Sequence, residues 1–165
     1  MRAFRREKDG SLSARFSPQE RDVLAALADQ VAGLLTDRSS FPDDAALTRL
    51  LPDAYRGDAD AAAEFRRFTE DSLASRKIQN ALTVTESLER SAESHPAGQT
   101  TVALDAPAAQ SWLRCLTDIR LTVAARLGIE TDGDEGAEDD EGLMLRDVYD
   151  WLGFVQGSLI EALER

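Results

Sequence analysis

The chain has 165 residues, 42% of them hydrophobic, and sets 19 Lys and Arg against 31 Asp and Glu for a formal charge of -12. That length suits a single domain burying roughly 70% of the surface its unfolded form would expose, and the charge disfavours nucleic acid and anionic membranes as partners. A lone cysteine, Cys115, rules out a disulfide within the chain. Met1 to Asp9 is charged where a secretory signal would be apolar, and no apolar run approaches the ~20 residues of a membrane helix, so the cytoplasm is the expected compartment.

Ala3–Arg6 and Leu12–Phe16 flank Lys8-Asp9-Gly10-Ser11, and Asp-Gly between short segments predicts a small N-terminal β-hairpin. Ser17-Pro18-Gln19-Glu20 is a capping box with proline at the first helical position. Val23, Leu24, Leu27, Val31, Leu34 and Leu35 follow at helical spacing, which predicts a helix to about Thr36. Phe41-Pro42-Asp43-Asp44 reads as a turn and cap before a short helix over 45–51, closed off by Pro52 and Gly57. Asp58 can cap a helix carrying Ala61, Phe65 and Phe68, and Thr69-Glu70-Asp71 reads as the fresh start of a second helix ending near Glu93.

Ser94-His95-Pro96-Ala97-Gly98 is a loop, and the β-branched run Thr100–Leu104 predicts a strand that could add to the hairpin as a three-stranded sheet. Asp105 and Pro107 open the next helix. Its apolar face holds Trp112, Leu116, Ile119, Val123 and Leu127, and Leu113, Leu121 and Ala124 cover much of the other side, so it is predicted to be central. Eight of the twelve residues from Glu130 to Glu141 are acidic, which predicts a mobile acidic loop over 130–141. A last helix from Leu143 to about Leu163 carries Leu145, Val148, Leu152, Val155 and Leu159 on its core face. The expected fold is mostly α: one helical bundle over 1–165 with a small N-terminal β-hairpin or three-stranded sheet.

Residues able to carry chemistry are few. Asp132-Gly133-Asp134 opens like a calcium loop, but Ala137 stands at the sixth position and Leu143 at the twelfth, so no metal site is expected there. His95 is the only histidine and has neither a metal-ligand partner nor a nucleophile context nearby, and phosphate-loop glycine patterns are absent, so neither catalytic centre nor cofactor is expected. Ser17–Leu24 is similar to the opening helix of LuxR-type helix-turn-helix domains. The helical pattern nevertheless runs on to Leu35 without the glycine-containing turn of such domains, so direct nucleic-acid binding is not expected. Arg2, Arg5, Arg6 and Arg15 form a basic patch suited to an acidic partner or to the acidic loop.

On the helix of Trp112, Cys115 and Arg126 fall within about 60° of the Trp112 direction, with Arg120 on the opposite flank. An arginine in an apolar face needs a carboxylate, and Glu64, beside Phe65 and Phe68, is the first candidate; the same arginines could instead hold a small anion. Cys115 is a candidate redox residue, with a small buried hydrophobe as the competing reading. On the last helix Phe154 lies opposite the core face among Asp147, Asp150 and Glu161. Gly153 and Gly157 line the adjoining strip near Ile160, a surface suited to a partner or a second copy of the chain and equally to tight packing within one subunit.

Several segments, in order, resemble an actinobacterial family of proteins of unassigned function that includes the AosR-like oxidative-stress regulators. They are Glu64-Phe65-Arg66-Arg67-Phe68-Thr69, Ser111-Trp112-Leu113-Arg114, Asp118-Ile119-Arg120-Leu121, Arg126-Leu127-Gly128 and Tyr149-Asp150-Trp151-Leu152. The resemblance implies a non-enzymatic regulator linked to transcription under oxidative stress. It would act through contact with a protein of the transcription or proteolysis machinery, in a family whose genes often neighbour that of the ClpS proteolytic adaptor. It also implies redox control by a disulfide within one chain, which this sequence, with Cys115 alone, cannot form.

Overall fold

The computed structural model of the chain describes residues 1–52, 61–94, 98–131, 134, 136–137 and 139–164, with 61–68 and 94 described by their helical backbone alone. Two strands, β1 (Arg2–Arg6) and β2 (Leu12–Phe16), form the expected hairpin. Its turn is set by chemistry local to four residues: the Gly10 amide donates to the Glu7 carbonyl (3.0 Å), the Asp9 carboxylate accepts from the Ser11 amide (3.0 Å), and Gly10 takes the positive φ of 86° that a Cβ would oppose. The third strand, β3 (Thr100–Leu104), pairs antiparallel with β2 in the register Leu12 to Leu104 and Phe16 to Thr100, giving the order β1-β2-β3.

Five α-helices complete the described residues: α1 (Pro18–Thr36), α2 (Ala45–Leu50), α3 (Ala61–Ser94), α4 (Ala106–Leu127) and α5 (Asp140–Glu164). Three caps legible in the sequence are made. Ser17 and Glu20 exchange the two hydrogen bonds of the capping box at α1, Asp44 accepts from the Ala46 and Leu47 amides at α2, and Asp105 accepts from Ala108 at α4. Gly128, at φ 72°, ends α4 with its amide on the Ala125 carbonyl and that of Ile129 on Ala124, a Schellman stop.

Two boundaries differ from the sequence expectation. The helix predicted to restart at Thr69 is one 34-residue α3. Thr69-Glu70-Asp71 can cap a helix, but with no glycine or proline between Ala61 and Ser94 a break would forfeit propagation already under way and require a second costly nucleation. The last helix begins at Asp140, before the expected Leu143, because Asp139 caps it by accepting from the Gly142 amide (2.8 Å) and acidic residues suit the positive end of a helix. Within the acidic segment, the Glu130 and Thr131 amides donate to Asp134 and the Ala137 amide donates to the Leu127 carbonyl (3.0 Å), so its described residues fold over the end of α4. The possible Asp58 cap and His95 lie outside the described residues.

A single core cluster runs through the described elements. α1 packs on α3, α3 on α4 and α4 on α5, α2 leans on α4, and α5 lies along β1. α4 is thus central, as its two-sided apolar pattern predicts. Trp112 is fully buried beneath the sheet, with its ring 5.7 Å from that of Phe4 and 6.1 Å from that of Phe16. Such an aromatic trio contributes more than its buried area alone. No helix among the described residues is long and apolar enough to cross a membrane.

Candidate functional site

The seam between α3 and α4 holds the one charged pair set into the core among the described residues. Lys77 donates to Asp118 Oδ1, while Asp118 Oδ2 is buried with no hydrogen-bond partner. Asp118 is 2% exposed. Burial pushes its carboxyl above the ordinary carboxylate range, and the hydrogen bond and charge of Lys77 offset that only in part. Above the pair, the two helices open a cleft of about 530 Å³ whose polar lining is Arg76, Lys77, Gln79, Asn80, Arg114 and Asp118, together with Thr117. Arg76 and Arg114 are exposed, and neither is ion-paired among the described residues.

Sequence reasoning missed this pair. The available signal was that Asp118 follows Cys115, on the flank of the apolar face, by one turn, and a carboxylate turned toward the core needs a cation as surely as a buried arginine needs a carboxylate.

Cys115 sits one turn before Asp118 and is 1% exposed. Burial, reinforced by the Asp118 charge and only partly countered by Lys77, pushes its thiol up to about 12. It is therefore protonated at neutral pH and shielded, the state of a small core hydrophobe; a redox centre needs an accessible thiolate.

The arginines singled out in the sequence go to different elements. Arg126 donates to Asp44 Oδ2 (2.8 Å), so its carboxylate is the cap of α2. Burial acts to raise the Asp44 carboxyl, but hydrogen bonds from Arg126, Leu47 and Ala46 outweigh it and hold it below the usual range. Arg120 has no carboxylate partner among the described residues. It donates to Gln156 Oε1 (2.8 Å) and lies over the Tyr149 ring with its guanidinium carbon 4.7 Å from the centroid, while Gln156 Nε2 donates to Thr117 (2.8 Å). These contacts fix α4 against α5 through an amide and a ring, which neutralise less than a carboxylate would but avoid burying a second charge. The Glu64 side chain lies outside the described residues. Arg120 and Arg126 thus do not converge on one anion site through these contacts.

A family model for a domain of unknown function, DUF2017, matches residues 1–163. The chain belongs to the DUF2017 family. Comparison with curated proteins and with solved structures finds no match.

In this DUF2017 chain the second candidate region is the outer face of α5. Phe154 is 52% exposed, opposite the buried Leu152, Val155 and Leu159, and Leu143, 53% exposed, lies on the same side three turns earlier, with Met144 (69%) beside it. Asp147, Asp150 and Glu161 flank them and are also exposed. Of the two glycines expected beside Phe154, Gly153 has the Arg120 guanidinium 3.8 Å from where a Cβ would stand, an ordinary contact distance that does not require a glycine. Gly157 has open space there. Of the N-terminal basic patch, Arg5 pairs with Glu7, and Arg6 donates to the Leu163 carbonyl near the end of α5.

Proposed function

We propose that the chain is a non-enzymatic regulatory protein that works through protein contact in the cytoplasm, with the outer face of α5 docking a basic amphipathic segment of its partner. The observation that carries this reading is the exposure of Leu143, Met144 and Phe154 along one helix, bordered by Asp147, Asp150 and Glu161. Large apolar side chains left in water supply anchors, and surrounding carboxylates select a cationic partner and speed its approach. The resemblance to AosR-like oxidative-stress regulators suggests that this partner belongs to the transcription or proteolysis machinery. If redox control operates, the buried Cys115 is a poor place for it.

The test is a photo-crosslinking amino acid at position 154, compared with the same residue at position 82, an exposed apolar site on α3. The proposal expects an adduct at position 154 with a transcription or proteolysis protein, competed away by unlabelled wild-type chain and by excess of a basic amphipathic peptide derived from the partner. Equal labelling at both positions, or an adduct with a second copy of the chain alone, would overturn it.

A further inference from the structure

We infer that the cleft between α3 and α4 binds a small phosphate monoester that carries a hydroxyl group, with Arg76 and Arg114 on the phosphate and Asp118 Oδ2 on the hydroxyl. This goes beyond the docking reading and is independent of it. The first observation is the charge of the lining. Arg76, Lys77 and Arg114 against Asp118 give the cleft a formal +2 in a chain whose total is -12. Two exposed guanidiniums with no ion-pair partner among the described residues match the fork geometry and charge of a phosphate dianion. The second is the unsatisfied acceptor. Asp118 Oδ2 is removed from water and takes no hydrogen bond from the protein, because Lys77 is spent on Oδ1. A buried carboxylate oxygen left this way is costly; Asp118 lines the cleft, and a small shift of the lining side chains that bares Oδ2 to a ligand hydroxyl would relieve that cost. Volume agrees: about 530 Å³ lies within the usual range for small-molecule sites. Gln79 and Asn80, also in the lining, supply further amide donors and acceptors for a polyol.

The test is a titration followed by backbone amide NMR at fixed ionic strength, with glycerol 3-phosphate and methyl phosphate as probes and chloride as the reference anion. Saturable shifts confined to residues 73–80 and 114–118 are expected. Glycerol 3-phosphate should bind about tenfold tighter than methyl phosphate, the contribution of one hydrogen bond to a charged acceptor.

In Lys77→Met/Asp118→Leu, which removes the carboxylate without leaving its partner charge unpaired, nothing at this position can accept from or donate to the ligand hydroxyl, and the preference should vanish. Arg114→Gln, an exposed substitution that spares the core, should weaken both probes at least fivefold. Shifts that do not saturate, that spread over surface arginines generally, or that survive Arg114→Gln would overturn the site. Equal affinity for the two probes in the wild-type chain would overturn the assignment of Asp118.

Discussion

Lys77 and Asp118, 41 residues apart, pair across the seam between α3 and α4, with the carboxylate almost wholly buried and the lysine side chain 17% exposed. Removing one partner of such a pair costs more than the pair contributes, because the remaining charge stays desolvated. Lys77→Met is expected to lower the free energy of unfolding by about 3 kcal/mol in urea titrations. Lys77→Met/Asp118→Leu should recover most of that loss. A single substitution costing under about 1 kcal/mol would mean that Asp118 reaches water when Lys77 is gone.

The same carboxyl leaves a signature in pH. Burial makes the folded chain bind the Asp118 proton more tightly than the unfolded chain, whose carboxyl has the ordinary value of 3.8. In the window from that value up to the raised one the folded state holds more protons, so stability from this group is fullest in acid and falls as pH rises through the window. Asp44, held low, acts in the opposite sense: its contribution is full above 3.8 and is lost as pH falls through its depressed value. Subtracting the unfolding free energy of Asp118→Asn from that of wild type between about pH 3 and 7 should give a difference that declines above 3.8 and then levels. A difference that rises instead would show the carboxyl to be stabilised in its charged form.

Asp44 joins two jobs, capping α2 and receiving Arg126 from the end of α4, while Arg49 of α2 donates to the Ile129 carbonyl (2.6 Å) just past α4. Asp44→Ala should therefore cost about 1–2 kcal/mol, most of it the lost cap. Asp44→Asn should retain the greater part, since an exposed guanidinium pair adds only ~0.5 kcal/mol. Urea unfolding of both variants beside Arg126→Gln checks the division; the account fails if Arg126→Gln costs as much as Asp44→Ala.

What was legible in the sequence was whatever is decided locally. The capping box at Ser17, the Asp-Gly turn and the β-branched run at Thr100–Leu104 each fix their element within a few residues, and the hairpin, α1 and β3 stand where they were expected. The two-sided apolar pattern around Trp112 correctly made α4 central. Illegible was what depends on long-range pairing: Asp118 meets a lysine 41 residues away, and Arg126 meets an α2 cap 82 residues away. Helical periodicity places a charge on a face but does not name the opposing residue: Arg126 takes Asp44, while the Glu64 side chain lies outside the described residues.

The burial of Cys115 makes its chemistry predictable. With the thiol pushed up to about 12, iodoacetamide should label it far more slowly in the native chain than in urea, and peroxide should not convert the protein to a disulfide-linked dimer at neutral pH. Intact mass after timed quenching reads the first, and non-reducing electrophoresis the second. Native labelling at a rate near that of the unfolded chain would show that the α3/α4 seam opens readily and would restore Cys115 as a redox candidate.

Phe154 and Leu159 share a helix but divide between fold and function. Leu159 is fully buried against the core, so Leu159→Ala should cost about 2–5 kcal/mol through lost contacts and a residual cavity. Phe154 projects from the opposite side at 52% exposure, so Phe154→Ser should change stability by no more than about 0.5 kcal/mol. At roughly 2–4 °C per kcal/mol for a chain this long, thermal unfolding separates the two without ambiguity. Docking should reverse the ranking: Phe154→Ser is expected to weaken partner binding at least tenfold, the loss typical of an interface anchor. A Phe154→Ser chain that melts several degrees below wild type would place the ring in the fold and remove the main support for α5 as the docking face.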